Sequence, residues 1–237
     1  MKILAFTPTH GRLRKFPQTY KQARGKAGIW FDWAVFAGSV QPEYAGYLQS
    51  LVAPEGLQHL TIWPENRGQH HAWTEALELA RKGEYDFILR IDDDIEFKTE
   101  RWLKKMVERL YDLKKRGEDK TLRFVAVPKI LRLKNPIPAM GVIEKDQPYP
   151  AEVLEVTGGG VRLVPLHLLD GYKPDTKLPL RRGEPQDLHT WLVDKAMFLR
   201  FPDIRVIHDT AVNEADQTPE EALIHRMGIY WPYLGAT

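Results

Sequence analysis

Three consecutive carboxylates directly follow a strand-like run of this chain. Residues 85–90, with the sequence YDFILR, have the apolar content of a buried strand, and Asp92, Asp93 and Asp94 come next. A strand that ends in clustered acids places them at the mouth of a sheet, where their mutual repulsion is costly unless a cation lies beside them. The sequence therefore predicts a divalent-metal site that receives a phosphate-bearing ligand.

The composition is that of a chain with its own hydrophobic core. It has 237 residues, 43% of them hydrophobic, and a formal net charge of +2, so we expect one domain with an elaborated second half. The charge balance alone does not indicate nucleic-acid binding. The absence of cysteine excludes disulfides and thiolate metal sites and fits a cytoplasmic location. No apolar run is long enough to predict a signal peptide or a membrane span.

Strand and helix patterns alternate along the first half. Apolar runs predict strands at 2–6, 33–36, 59–62, 86–91 and 124–127. Apolar residues at helical spacing predict an amphipathic helix over 68–81 and another over 102–113, the second capped by Thr99. This alternation predicts an α/β fold with a mostly parallel sheet.

The second half is less regular. Five prolines between 128 and 150 predict a long binding loop over 129–150. Strands are expected at 152–157 and 161–164, on either side of Gly158, Gly159 and Gly160. We expect a helix over 185–199, a strand over 204–207 and a final helix that begins near Thr218.

Several polar groups fall where predicted strands end. The segment 7–12 (TPTHGR) follows the first strand, Asn66 and Arg67 follow the third, the acids follow the fourth and His208 follows the last. Ligands of open parallel sheets bind beyond the carboxyl ends of the strands. An arginine at a helix start suits a diphosphate, and carboxylates together with phosphate oxygens suit Mg²⁺ or Mn²⁺.

At this point the chain resembles a known family, the nucleotide-sugar glycosyltransferases of the GT-A fold, and in particular their family 2. The resemblance follows the chain in order through its matching segments: LAFTPT at 4–9, PENRG at 64–68, RIDDD at 90–94, VTGGG at 156–160, EPQDL at 184–188 and the late His208. The RIDDD segment is similar to the Asp-x-Asp motif of that family. The fold implied is a Rossmann-like, mostly parallel sheet flanked by helices.

The resemblance implies a role for each matching residue. Residues 1–128 would form the nucleotide-sugar-binding half, and 129–237 the acceptor-binding half with an aromatic C-terminal tail. Asp94 and His208 would bind Mn²⁺ or Mg²⁺, and Asp187 would be the catalytic base of an inverting transfer. The implied donor-binding residues are Thr7, Thr9, Arg12, Asn66, Arg67, Asp92 and Asp93, where the two aspartates hold the ribose or orient the metal shell. The implied acceptor-binding residues are Gly158, Gly159, Gly160 and Trp191.

The sequence leaves several alternatives open. The acids could merely cap Arg90 or the next helix, Asp187 could be a helix-stabilising acid with Glu184 as the base, and Trp191 could belong to the core. The family often carries a base-recognising aspartate after the second strand, where this chain has Ala37-Gly38-Ser39, so the nucleotide base stays open. The acceptor could be a lipid-linked sugar, a glycan, a protein, a small molecule or a modified nucleic-acid base. Rival functions are metal-dependent nucleotidyl or phosphoryl transfer and non-catalytic sugar-nucleotide or glycan binding.

Overall fold

The computed structural model describes residues 1–10, 15–115, 122–131, 139–143, 150–155, 160–176 and 184–208, with the side chains of 184–186 left out. The strands are β1 (Ile3–Thr9), β2 (Asp32–Gly38), β3 (His59–Trp63), β4 (Phe87–Ile91), β5 (Ile95–Phe97), β6 (Phe124–Leu131), β7 (Ala139–Ile143), β8 (Ala151–Leu154), β9 (Val161–Pro165) and β10 (Met197–His208). The helices are α1 (Phe16–Lys26), α2 (Pro42–Ser50), α3 (Gly68–Lys82), α4 (Trp102–Lys115) and α5 (Glu184–Leu192), and a short 3₁₀ turn spans Leu166–Leu169.

The described strands form one sheet in the order β3-β2-β1-β4-β9-β6-β10-β8-β7, with β5 paired to β10 off this path. Strands β1 to β4 are mutually parallel, and β6 is parallel to β10. Strands β5, β8 and β9 run antiparallel to their neighbours. The predicted α/β fold with a mostly parallel sheet is confirmed.

Both faces of the sheet are covered, which explains why its central strands read as continuous apolar runs. Alternate residues of β1 point to opposite sides, so that Ile3 and Ala5 join the core under α1, α2 and α4. Leu4 and Phe6 join the core under α3 and α5. No helix in the described part of the chain is both long enough and apolar enough to cross a membrane.

Strand β10 brings the end of the described chain back to the acidic triplet. Its parallel pairing with β6 carries it to the carboxyl edge of the sheet, where β1 and β4 also end. Its antiparallel pairing with β5 sets His208 opposite Ile95, the residue after Asp94. Two distant parts of the chain therefore meet at one edge.

Two sequence predictions need correction in the second half, and a third is not tested. The helix predicted over 185–199 ends at Leu192, and the residues from Met197 form one long strand. The apolar spacing was compatible with a helix, but Phe198 and Leu199 are both buried because they lie on opposite faces of a strand covered on both sides. The segment 129–150 is not wholly irregular, since it contains the end of β6 and all of β7. The final helix predicted near Thr218 lies outside the described residues.

Thr99 does not cap α4 as predicted. Its hydroxyl donates to the Asp203 carbonyl (3.2 Å) and accepts from the Arg205 backbone N–H (2.8 Å). These contacts fasten the β5–α4 connection to the bulge in β10, where the register with β6 shifts between Phe201 and Arg205. The pattern of a threonine before a helix could not reveal this partner, because it is about a hundred residues away in the chain.

We expect Asp203→Asn to destabilise the fold in a pH-dependent way. Arg109 of α4 is buried and pairs through both terminal nitrogens with Asp203. Burial by itself raises the pKa of Asp203, but the hydrogen bonds and charge of Arg109 outweigh it and hold the pKa below its ordinary value. A carboxyl with a depressed pKa stabilises the fold above its unfolded pKa of about 3.9 and loses this effect as the pH falls through the folded pKa.

Urea unfolding at several pH values tests this expectation. The variant should be about 1–2 kcal/mol less stable than wild type near pH 7, with the lower end favoured because half of the Asp203 side chain is exposed. The difference should shrink towards zero below about pH 3. An equal difference in stability near pH 7 and below pH 3 would show that the Asp203 charge does not stabilise the fold through Arg109.

Candidate functional site

Asp92, Asp94 and His208 form a compact cluster at the carboxyl edge of the sheet. Each offers one ligand atom, and these atoms all lie within 4.8 Å of one another. His208 Nε2 is 3.0 Å from Asp94 Oδ1 and 3.9 Å from Asp92 Oδ2. The Asp94 side chain is buried, whereas Asp92 and His208 are 16% and 21% exposed. The cluster therefore opens to solvent on the side of Asp92 and His208.

The donor set of this cluster fits a divalent cation. Two ligand atoms bound to one small dication at about 2.0–2.2 Å lie roughly 3–4.4 Å apart, close to the separations found here. Carboxylate oxygens suit Mg²⁺ and Mn²⁺, and the imidazole nitrogen shifts the preference towards a transition metal such as Mn²⁺. The residues that would hold the ion are thus Asp92, Asp94 and His208.

Asp93 is not part of this cluster. It is 7% exposed, and its Oδ2 accepts a hydrogen bond from the Thr9 hydroxyl at 2.6 Å. Thr9 Oγ1 also lies 2.9 Å from the Tyr44 hydroxyl, and Thr19 Oγ1 lies within hydrogen-bonding distance of the Asp93 and Ile95 carbonyls. Asp93 therefore fastens the turn after β4 to the end of β1 and to α1, beneath the metal-facing carboxylates.

The triplet is partly neutralised by the protein itself, which corrects the expectation that only a bound cation could offset it. Arg90, 3% exposed, donates from Nε to Asp92 Oδ1 at 2.8 Å. The alternative in which the acids cap Arg90 is thus realised for Asp92. Sequence reasoning assigned Arg90 no role in the site, although a charged residue at an inward position of an apolar strand is a usable signal.

Gly160 lies directly against the cluster. Its carbonyl accepts from the Asp92 backbone N–H at 2.7 Å. Its φ is +102°, and a Cβ added here would lie 3.3 Å from Ile95 Cδ1 and 3.8 Å from His208 Nδ1. The glycine thus allows the backbone to approach the acidic turn closely. Gly158 and Gly159 lie outside the described residues.

The other residues predicted to contact a donor are Thr7, Arg12, Asn66 and Arg67. Thr7 is fully buried and its hydroxyl accepts from the Trp33 indole N–H at 3.0 Å, so its side chain faces the core, and its role in donor binding stays a prediction. Asn66 Oδ1 accepts from the Gly68 N–H at 3.0 Å, which orients the start of α3, and Arg67 is exposed beside it. Arg12 lies outside the described residues.

Asp187 lies in the first half of α5. Its Oδ2 accepts from the Tyr172 hydroxyl at 2.8 Å and from the Asp175 backbone N–H at 3.3 Å. Tyr172 is 2% exposed, so this contact ties the helix to the segment that follows β9. Both interactions orient the carboxylate, and its role as a base stays a prediction. Glu184, the substitute base, has no described side chain.

Trp191 contacts the opposite end of the sheet. Its indole N–H donates to the Leu168 carbonyl at 2.9 Å, and its ring packs on Tyr172. The nearby Leu166 N–H donates to the carbonyl of Asp86, which precedes β4, whereas the acids follow β4. The full length of β4 thus separates this contact from the metal cluster, which favours the core alternative for Trp191. Asp187 lies one turn before Trp191 in α5, about 6 Å from it along the helix axis.

Substitution of Gly160 should disturb both the fold and the cluster. We expect Gly160→Ala to lower the free energy of unfolding by about 1–3 kcal/mol, because a Cβ is strained at this φ and presses on Ile95. It should also weaken Mn²⁺ binding, measured by the electron paramagnetic resonance signal of free Mn²⁺, because relaxation of the strained backbone shifts the Gly160 carbonyl that accepts from the Asp92 N–H.

Gly46→Ala is the matched control. Gly46 lies in α2 with nothing within 4 Å of an added Cβ. This change should raise stability by about 0.5–1 kcal/mol and leave Mn²⁺ binding unchanged. Wild-type Mn²⁺ affinity in Gly160→Ala would show that the close approach does not shape the cluster.

Comparisons with known proteins give matches in structure only. No family model matches the chain, and no curated protein matches it. Among solved structures, S. aureus TarS superposes with a TM-score of 0.62 at 12% identity, over 87% of this chain and 36% of that one. The mannosyltransferase PcManGT from Pyrobaculum calidifontis, in complex with GDP-Man and Mn²⁺, gives 0.57 at 15% identity, over 87% of this chain and 56% of that one.

A third match is GalNAc-T7 with UDP, GalNAc and Mn²⁺, with a TM-score of 0.61 at 12% identity, over 88% of this chain and 44% of that one. The chain thus spans between about a third and somewhat over half of the length of these proteins. The matched structures are glycosyltransferases with GT-A-like folds. At this level of identity the likeness establishes architecture, and the architecture of this chain is GT-A-like.

Proposed function

We propose that this protein is a metal-dependent glycosyltransferase that moves a hexose-like sugar from a nucleoside-diphosphate sugar to a hydroxyl acceptor, with inversion. The observation that carries the proposal is the convergence of Asp92, Asp94 and His208 at the carboxyl edge of a GT-A-like sheet. The matched structures with bound UDP, UDP-GlcNAc or GDP-Man support the donor class.

The metal site supports the departure of the diphosphate. A bound Mn²⁺ or Mg²⁺ would supply positive charge for the negative charge that develops on the leaving diphosphate. Asp92, Asp94 and His208 would hold the ion, and Asp93 would keep the acidic turn in place through Thr9. Arg67, exposed at the start of α3, is proposed to contact the diphosphate together with Arg12.

Asp187 is proposed to be the general base. The acceptor oxygen would form a bond to the anomeric carbon as the bond from that carbon to the diphosphate oxygen breaks, and the hydroxyl proton would pass to the Asp187 carboxylate. The two hydrogen bonds to Oδ2 hold the carboxylate in one orientation. Attack from the face opposite the leaving group would invert the configuration of the sugar.

The acceptor is proposed to bind beyond Gly160, at the open side of the cluster. The second half of the chain, 129–237, would supply this surface, and 1–128 would supply the donor site. On the donor side, the Gly38 carbonyl at the end of β2 is 2.7 Å from His10 Nδ1. Since this chain has no aspartate at that turn, we expect backbone groups and His10 to set the choice of nucleotide base.

The donor class is tested by thermal unfolding with UDP, GDP and other nucleoside diphosphates, each with and without Mn²⁺. We expect a rise in Tm only when metal and diphosphate are both present. At a ligand concentration of 100 times Kd the stabilisation is about 2.7 kcal/mol, or roughly 5–10 °C for a chain of this size. An equal rise with the nucleotide alone would contradict a shared metal site.

Three aspartate variants separate binding from chemistry. Asp94→Asn should abolish the metal-dependent Tm rise and sugar transfer, because it removes a buried metal-facing charge. Asp187→Asn should retain the Tm rise and reduce turnover by about 10²–10⁴-fold. Asp86→Asn is the control, since Asp86 lies before β4, half exposed, and accepts from the Lys2 backbone N–H. It should leave both measurements unchanged.

The products separate the proposal from its rivals. From the same nucleotide-sugar donor, a glycosyltransferase releases a nucleoside diphosphate, nucleotidyl transfer releases a sugar phosphate, and transfer of the sugar phosphate releases a nucleoside monophosphate. A non-catalytic binder would show the Tm rise with no product in either wild type or Asp187→Asn. Chromatography of the reaction with a range of hydroxyl acceptors therefore decides among the three functions.

A further inference from the structure

A buried arginine lies directly beneath the metal cluster. Arg90 is the fourth residue of β4 and is 3% exposed, and its guanidinium is positively charged. Burying this charge is unfavourable unless it is paired, and an apolar residue would fill the same space without that penalty. A role in packing alone therefore does not explain Arg90.

The strand pairing adds to this penalty. Arg90 lies opposite Arg162 in the antiparallel pair of β4 and β9, and Arg162 is 1% exposed. Like charges directly across a strand pair are destabilising. The fold thus maintains two buried cations side by side next to its acidic turn, so the contacts of Arg90 must offset a considerable cost.

Those contacts join two parts of the site. Arg90 Nε donates to Asp92 Oδ1 at 2.8 Å, and Nη2 donates to Gln69 Oε1 at 2.8 Å. Gln69 is the second residue of α3, directly after the turn formed by Asn66, Arg67 and Gly68. The planar guanidinium sets the angle between its donors, so it fixes the Asp92 carboxylate relative to the start of α3.

We propose that Arg90 is a positioning residue of the metal site, which holds Asp92 with Oδ1 turned inward and Oδ2 presented to the cation. Asp92 is then a monodentate ligand, in agreement with the position of Oδ2 on the side of His208. Through Gln69, the same guanidinium ties this ligand to the helix start where the donor diphosphate is proposed to bind. The inference rests on the proposed metal site and adds to it a residue that does not itself touch the ion.

Binding of Mn²⁺ alone to the full chain tests the proposal, measured by the electron paramagnetic resonance signal of free Mn²⁺. Arg90→Lys replaces the rigid, planar guanidinium by an ammonium on a flexible stem, which does not fix the angle between the two hydrogen bonds, so the variant tests orientation. We expect its Mn²⁺ affinity to fall by about 10-fold or more. Gln69 is half-buried on α3 and leucine is a good helix former, so Gln69→Leu should preserve folding. We expect a smaller loss of Mn²⁺ affinity in this variant.

Arg109→Lys is the matched control. Arg109 is also a buried arginine paired with an aspartate, but its partner is Asp203 at the bulge of β10. This variant should lose stability to a similar degree and keep wild-type Mn²⁺ affinity. An equal loss of affinity in Arg109→Lys would overturn the proposal, because the effect would then be general destabilisation.

The outcomes separate the inference from the proposed function. If wild type binds Mn²⁺ and both Arg90→Lys and Gln69→Leu bind it equally well, Arg90 does not position the ligand and the metal site stands. If wild type binds no Mn²⁺, with or without UDP, the metal site itself is refuted and the inference falls with it.

Discussion

The site depends on the antiparallel pairing of β10 with β5. This pairing places His208 opposite Ile95, and so beside Asp94, although more than a hundred residues separate them along the chain. The parallel pairing of β10 with β6 gives the strand its direction, because it carries the residues from Met197 onward towards the carboxyl edge of the sheet. Two kinds of pairing on a single strand thus assemble a three-residue cluster from two distant segments.

The three adjacent carboxylates of the acidic turn lie against different groups of the protein. Each has a different partner: Asp92 is held by Arg90, Asp93 accepts from Thr9, and Asp94 lies against His208. Asp92 and Asp94 belong to the cluster with His208. The turn is thus fixed by a hydroxyl and a buried cation, and ligand atoms of Asp92, Asp94 and His208 lie together beside it.

The sequence predicted the fold class and the edge of the sheet at which the polar residues gather, because strand and helix periodicity and the ends of strands are local signals. It predicted the start of α3 at Gly68 and placed Asp94 and His208 at strand ends. It did not predict α1, whose Thr19 supports the acidic turn, because Pro17 and the charged residues around it obscure the helical pattern.

Other site features depend on contacts that spacing does not encode. Thr7 belongs to the same Thr-Pro-Thr run as Thr9, but strand alternation turns the two hydroxyls to different partners, Trp33 and Asp93. Trp191 follows Asp187 by one turn, yet its indole is fixed by Leu168 at the far end of β4. The division of the triplet between Asp93, which is bound to Thr9, and the two acids that cluster with His208 likewise required the tertiary structure.

The bulge in β10 determines the face of the sheet on which His208 lies. Asp203 lies within this irregularity, where its carbonyl accepts from the Thr99 hydroxyl, and the strand continues for five residues to His208. Side chains of a strand alternate between faces, so a slip of one residue beyond the bulge would turn the imidazole to the wrong side of the sheet. The bulge thus sets the register of His208 against the acidic turn, and a deletion or insertion of one residue between 203 and 208 would turn the imidazole away from Asp92 and Asp94.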